Sequence, residues 1–273
     1  MKRRLTLLSL VLLTLMLAVR VIAHDYWLEA DSFFLPEGKS ETFVRLHLGE
    51  ALKSEEERPL QKDRTAHLKL LSSAGTKDLL SPAPDNQMPI ARLTFEKSGN
   101  YLLAMERKAS TIKLDSVKFE EYLAEEGLDA IILERKRLGE AEREGRERYT
   151  RYLKTLLQVG TTTDETFKEI TGHTLEITPV SNPYQLKVGD KFSVRVSFAN
   201  RPLSGAQVFA HNRHQGSVRT QATTTSRDGV ATFTLERSGV WLVRLVHMRR
   251  CAGAHCDGND WESFWAALTF GLR

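Results

Sequence analysis

Two distant stretches of the chain repeat one pattern, and this repetition limits the possible folds most strongly. Residues 94–103 (TFEKSGNYLL) and 234–243 (TLERSGVWLV) align position for position as strand, Ser-Gly turn and strand. Upstream of each copy, a glycine turn precedes a run of alternating apolar and polar residues, 43–48 and 192–198. Such alternation, bounded by turns, indicates strands with one buried face. We therefore predict a β-rich chain in which one unit is duplicated.

Between the two copies, the spacing of apolar residues becomes helical. Phe119 and Leu123 recur at helical spacing, with Asp115 or Ser116 placed to cap the helix and Gly127 to end it. Residues 128–138 can form a second helix. A third amphipathic stripe also fits a helix and consists of Tyr149, Tyr152, Leu153, Leu156 and Leu157. We predict that residues 115–160 form a helical connector packed against one sandwich.

These patterns predict the fold class and the domain boundaries. The fold is mainly β, with two immunoglobulin-like/carboxypeptidase-regulatory-like β-sandwich domains joined by a helical connector. A signal peptide occupies residues 1–23 and an N-terminal β-sandwich domain residues 24–114. The helical connector occupies residues 115–160 and a C-terminal β-sandwich domain residues 161–273.

The first residues have the pattern of a secretory signal peptide. Basic residues at 2–4 precede an apolar run at 5–19, and the small residues Val21 and Ala23 follow. The run is too short to predict a spanning helix, and no later apolar stretch approaches that length. We expect cleavage after Ala23 and a periplasmic mature protein without a stable membrane span. An uncleaved amino-terminal anchor is the alternative.

The net charge of +4 comes from the predicted signal peptide. Four of the 39 Lys and Arg residues lie there (Lys2, Arg3, Arg4 and Arg20), whereas all 35 Asp and Glu residues lie beyond it. The mature chain is therefore formally neutral, and its charge gives no support for a nucleic-acid partner.

A mature chain that begins at His24 offers an α-amine and an imidazole from one residue. Cu(II) and Ni(II) favour such nitrogen ligands. Near the carboxyl end, His247 precedes a loop, and Asp260 and Glu262 follow it, so we expect these side chains to gather at the rim of a sandwich. The predicted metal site consists of His24, His247, Glu262 and Asp260, and these imidazole and carboxylate donors suit Zn, Ni or Cu.

The cysteines Cys251 and Cys256 lie close together in the chain. In an oxidising compartment such a pair most simply forms a disulfide. His255 lies between them, so thiolate metal binding is the alternative, although the spacing matches no standard zinc pattern. Elsewhere, His211 and His214 end a strand, where we expect solvent exposure rather than metal binding.

No sequence motif indicates catalysis. The chain contains no Gly-x-Ser-x-Gly elbow, no phosphate-binding glycine loop and no HExxH helix. We therefore predict that the protein is not an enzyme.

Several blocks of the chain resemble a bacterial family. They are residues 23–29 (AHDYWLE), 119–128, 146–154, 239–248 and 260–270. The chain resembles the periplasmic domain-of-unknown-function family formerly described as a NikM-like nickel uptake substrate-specific component. The resemblance covers nearly the whole mature chain and implies a secreted β-rich protein linked with nickel or cobalt transport. Its best-matching motifs contain His24 and the pair His247-Met248.

The leading prediction is a periplasmic, non-catalytic, transition-metal-binding accessory protein for nickel, cobalt or copper uptake or handling. Its partners are the metal ion and a membrane uptake system or envelope protein. One alternative is a cell-envelope structural or interaction module that binds a protein or glycan without metal. Another is a mononuclear copper oxidase acting on polysaccharide.

Overall fold

The computed structural model describes residues 24–273 and has a mainly β fold with three sheets and two α-helices. The predicted signal peptide lies outside the described residues. The strands are β1 (Asp25–Ala30), β2 (Phe34–Leu35), β3 (Ser40–Glu50), β4 (Lys53–Arg58), β5 (Thr65–Ser72), β6 (Gly75–Asp78), β7 (Ala91–Phe95), β8 (Gly99–Leu114), β9 (Gly145–Val159), β10 (Leu175–Pro179), β11 (Lys191–Phe198), β12 (Arg201–Pro202), β13 (Gln207–His214), β14 (Ser217–Thr224), β15 (Val230–Thr234), β16 (Gly239–Arg250) and β17 (Trp261–Leu272). The helices are α1 (Ser116–Glu125) and α2 (Asp129–Arg137).

One nine-stranded sheet, the central sheet, contains strands from both halves of the chain. Its order is β14-β13-β16-β17-β9-β8-β5-β6, and β2 pairs with the end of β9. The first small sheet has the order β1-β3-β4, with β7 on β3, and the second has the order β10-β11-β12, with β15 on β11. Within residues 24–273, all strand pairings are antiparallel except two, because β17 and β2 each run parallel to β9.

The strand pairings repeat between the two halves, as the duplicated sequence pattern predicts. In the first half β3 pairs with β7, β5 with β8, and β8 with β9. In the second half β11 pairs with β15, β13 with β16, and β16 with β17. The two halves then meet along the parallel pair of β9 and β17. The mainly β class is confirmed, but a division into two immunoglobulin-like domains is not, because both halves share one sheet.

The central sheet is covered on both faces. The first small sheet packs on one side, here called the first face, where Trp27 joins a core with Leu103. The second small sheet packs on the second face, where Phe192 joins a core with Leu102. Neighbouring residues on β8 therefore enter different cores, because successive side chains of a strand point to opposite faces. All residues of β17 are buried.

The region between the halves contains the two predicted helices but not the third. The Asp115 side chain accepts a hydrogen bond of 2.9 Å from the Lys118 N–H and caps α1, and Gly127 follows its end at φ +68°. The predicted helix around Tyr149 is wrong, because residues 145–159 form β9. A strand buried on both faces is apolar at successive positions, so its apolar residues also fit a helical period.

Helix α1 covers the part of the first face that the first small sheet leaves free. Its residues Phe119, Tyr122 and Leu123 pack with Trp261 and Trp265 of β17. Within residues 24–273, no helix combines the length and the apolar character needed to cross a membrane.

Candidate functional site

His24 lies immediately before β1, on the side of the first small sheet. Its Nε2 atom is 2.8 Å from Glu55 Oε2 on β4, and one third of the side chain is exposed (33%). The His24 carbonyl accepts a hydrogen bond of 3.3 Å from Arg151 of β9. The Arg151 guanidinium lies over the rings of Tyr26 and Trp265, at 4.4 and 5.1 Å from their centres. This places His24 on the first face.

His247 points to the second face. Its neighbours Val246 and Met248 pack with α1 on the first face, so the alternation along β16 directs His247 the other way. The imidazole lies 4.5 Å from the ring of Phe198 and 6.4 Å from that of Phe264. Burial lowers the pKa of His247 to about 4. The central sheet therefore separates His247 from His24.

The two predicted carboxylate ligands are already paired with arginines. Asp260 accepts two hydrogen bonds of 2.9 Å from Arg146. Glu262 is buried, and its Oε1 atom accepts a hydrogen bond of 2.6 Å from Arg249. Its other oxygen, Oε2, lies 3.3 Å from His255 Nε2. Each carboxylate is thus charge-balanced without a metal ion.

The structure therefore does not assemble the predicted site of His24, His247, Glu262 and Asp260. Within the described part of the chain, a different group is the one set of three His, Cys, Asp or Glu donor atoms within 4.8 Å of one another: Cys251, His255 and Cys256. Cys251 and Cys256 form a disulfide in this structure.

The first face also contains a buried charge network that was not predicted from the sequence. Arg244 of β16 binds Asp25 at 3.0 Å and also pairs with Glu126 at the end of α1. Burial raises the pKa of both carboxyls, to about 7 for Glu126. The expectation that His211 is exposed is wrong: it is 3% exposed, its Nε2 lies 3.3 Å from Arg244, and burial lowers its pKa to about 3.

The sequence does contain a signal for this network. Arg244 lies in a strand whose neighbouring positions are apolar, at the same parity as buried Leu242 and Val246. A cation at such a position needs an anionic partner, because an unpaired buried charge costs several kcal/mol. Which partner it has depends on the tertiary fold.

The second face carries an open groove where the second small sheet ends. Its volume is 450 Å³. One wall is the turn at Phe198 and Ala199, and the other is the disulfide loop with His255. Other lining residues mix charges with aromatic rings and include Glu106, Lys108, Arg148, Thr150, Tyr152, Arg249, Glu262 and Phe264.

The fold is thus mainly β, with three stacked sheets and strand pairings that repeat between the two halves. The sequence matches the model of the family described as Domain of unknown function (DUF4198) over residues 21–249. The chain belongs to this family, in agreement with the resemblance noted from its motifs.

Comparisons with individual proteins add little. No curated protein matches the chain. Among solved structures, a Parabacteroides merdae β-glucuronidase with glycerol in its active site has 9% identity and a TM-score of 0.21, over 91% of this chain and 24% of that one. A second structure of that enzyme has 10% identity and a TM-score of 0.20, over 90% and 25%. The chain spans about a quarter of these enzymes, and scores this low carry no argument.

Proposed function

We propose that the protein is an exported, non-catalytic protein that binds a transition-metal ion at an amino terminus formed at His24. The observation that supports this proposal is the 2.8 Å contact between His24 Nε2 and Glu55. Cleavage after Ala23 would place the terminal amine beside Nδ1, the ring nitrogen nearer the backbone. Those two nitrogens form the chelate, and Cu(II) or Ni(II) prefers such ligands.

Glu55 has a definite role in this arrangement. Metal-bound histidines usually donate their second ring N–H to a carboxylate, which orients the ring and makes the ligating nitrogen more basic. Glu55 occupies that position on Nε2. The Arg151 guanidinium donates a hydrogen bond to the His24 carbonyl, and its positive charge repels a metal cation bound at His24. We therefore expect moderate affinity for the metal ion. Moderate affinity suits transfer of the ion to an uptake system or another envelope protein.

Titration of the processed protein with Cu(II) tests this proposal. We expect one ion per chain and a loss of about 100-fold in affinity for His24→Ala, because both donors of the chelate act together. One extra glycine before His24 should cause a similar loss, since it displaces the amine. Glu55→Gln should weaken binding by about 10–100-fold.

Two variants serve as controls for this titration. Glu56→Gln changes the neighbouring carboxylate, which pairs with Arg58 instead, and should leave affinity unchanged. His247→Ala should also have no effect, because this residue lies across the central sheet. Equal affinity of wild type and His24→Ala would refute the proposal.

The groove on the second face supports a second candidate function, that of an envelope module that binds a glycan or peptide without metal. Aromatic rings and basic side chains line it together, and Arg249 already balances Glu262. Ligands that combine sugar rings with carboxylates match this lining.

We expect muropeptides from a peptidoglycan digest to shift NMR signals of groove residues. Arg148→Ser should weaken that binding about tenfold, one lost charged contact being worth about 1.4 kcal/mol. Shifts elsewhere, or none, would contradict this function.

We also infer that each half derives from one immunoglobulin-like or carboxypeptidase-regulatory-like sandwich unit. The equivalent strand pairings of the two halves support this origin. The shared central sheet would then be a product of the duplication.

A further inference from the structure

We propose that the disulfide between Cys251 and Cys256 masks a second metal site, separate from His24, that forms when the disulfide is reduced. Its ligands are the two cysteine thiolates, His255 Nε2 and Glu262 Oε2. The site would take a tetrahedral ion with affinity for sulfur, of which Zn(II) is the best match. This inference does not depend on the function proposed above.

The distances between the donor atoms carry the proposal. His255 Nε2 lies 4.0 Å from Cys251 Sγ, 3.9 Å from Cys256 Sγ and 3.3 Å from Glu262 Oε2. In a tetrahedral zinc site, bonds of about 2.3 Å to sulfur and 2.0–2.1 Å to nitrogen or oxygen place S and N about 3.6 Å apart. The same bonds place N and O about 3.3 Å apart. The imidazole and carboxylate therefore already have nearly the required positions, and only the two bonded sulfurs must separate.

The loop holds these side chains through contacts other than the disulfide. The Cys251 N–H donates to the Asp260 carbonyl at 2.9 Å, and the Asn259 N–H donates to the Cys256 carbonyl at 2.8 Å. Gly253 has φ +101°, a backbone conformation that favours glycine, at the turn before His255. The loop also connects two strands paired along their whole lengths. We therefore expect reduction to leave the ligands close together.

Glu262 is suited to be the fourth ligand. Arg249 binds its Oε1 atom, which leaves Oε2 directed to His255. A hydrogen bond on the free oxygen of a ligating carboxylate orients it towards the ion. The Glu262 side chain is 5% exposed, whereas that of His255 is 49% exposed, so the ion would enter from the groove.

The chemistry of the switch balances with a simple reductant. A dithiol supplies two electrons and two protons and becomes a disulfide, whereas a phosphine supplies two electrons and takes the oxygen of a water molecule, becoming a phosphine oxide while the water gives the two protons. In both cases the S–S bond breaks and two thiols form. Binding of Zn(II) then releases both thiol protons, because the thiolate is the ligand. In the oxidised chain the sulfurs carry no charge and cannot serve as thiolate ligands. Metal binding at this loop therefore reports the redox state of the two cysteines.

Co(II) absorption spectroscopy on a full mature chain carrying His24→Ala tests the proposal without interference from the amino terminus. After reduction with a phosphine, we expect one Co(II) per chain, tetrahedral d–d bands and a thiolate-to-metal charge-transfer band that Zn(II) abolishes. The oxidised chain should show none of these. His255→Ala should weaken binding by about 100-fold, and Glu262→Gln by about tenfold, consistent with the loss of a ligand or its partner.

Two control measurements distinguish a specific loss of the metal site from a loss of the fold. His214→Ala, a change on distant β13, should bind Co(II) like the parent chain. Circular dichroism of the reduced chain should match that of the oxidised chain, because a disulfide that closes so short a loop stabilises little. A folded reduced chain without a charge-transfer band would overturn the proposal, as would unchanged affinity in His255→Ala. Loss of the fold on reduction would overturn it too.

Discussion

Glu176→Ala should lower the free energy of unfolding by about 3–5 kcal/mol, the cost typical of removing one partner of a buried ion pair. Glu176 of β10 and Lys154 of β9 form this pair and are 1% and 2% exposed. Glu176 also accepts hydrogen bonds from the N–H and hydroxyl of Thr171, at 2.7 and 2.9 Å. Its removal leaves a buried ammonium group, whose pKa burial already lowers, with only the Ile177 carbonyl as partner.

Urea denaturation of three variants measures this effect. The double variant Lys154→Met/Glu176→Leu should recover most of the lost stability, because apolar residues of similar size often replace buried ion pairs without cost. Glu165→Ala removes an acid from an exposed pair with Lys168 and should change nothing measurable. A loss below about 1 kcal/mol for Glu176→Ala would show that water reaches Lys154.

Arg244→Met should destabilise the protein by about 3–5 kcal/mol at pH 8, and by less than half as much at pH 5. The guanidinium lies between two buried carboxyls, Asp25 and Glu126. Without it, both carboxyls must be buried as unpaired anions or take up protons. Protonation is easier at pH 5, so acid should partly rescue the variant.

In the wild-type protein, Glu126 should contribute a pH dependence of stability with the same sign. Burial raises the pKa of Glu126 to about 7, from an ordinary value of 4.5. Between these values Glu126 binds more protons in the folded chain than in the unfolded chain, so the contribution of Glu126 to stability falls as pH rises from about 4.5 to 7. The slope from one group is at most about 1.4 kcal/mol per pH unit.

Glu126→Gln is the matched control for this second prediction. The amide keeps the shape of the side chain but cannot titrate, so the stability of Glu126→Gln relative to wild type should rise as pH increases across that range. His211 beside Arg244 contributes with the opposite sign, because its pKa is about 3 in the folded chain against an ordinary 6.5, so its contribution to stability rises with pH from about 3 to 6.5. This contribution is common to wild type and Glu126→Gln and cancels in their difference. Thermal unfolding at several pH values measures the profile, and identical profiles for wild type and Glu126→Gln would contradict the assignment.

Much of the local structure could be predicted from sequence alone. The repeated turns, the alternating strands and a cap at Asp115 or Ser116 depend on nearest neighbours in the chain, and the structure contains them, with Asp115 as the cap. β9 could not be recognised in this way. Its burial on both faces comes from the two small sheets, whose strands lie outside it in the sequence and reach it only in the folded chain.

The candidate site could be predicted from the sequence even less well than the fold. The alternation along β16 places His247 and Val246 on opposite faces of the sheet, but it cannot show which face His24, the residue before β1, will approach. That choice depends on the parallel pairing of β9 with β17, which puts the two small sheets on opposite faces. The ion pairs of Arg244 and Lys154 could not be predicted for a related reason. Their partners lie on other elements, so the neighbouring sequence shows neither the burial of these two side chains nor their pairing.

The parallel pairing of β9 with β17 also affects how this chain folds. Its two strands are separated by the entire second half of the sequence, so the central sheet closes only through contacts of very long range, which form slowly. Until then β9 has an apolar, unpaired edge on one side. Such an edge is a template for wrong pairing with other chains, and an isolated half would be aggregation-prone.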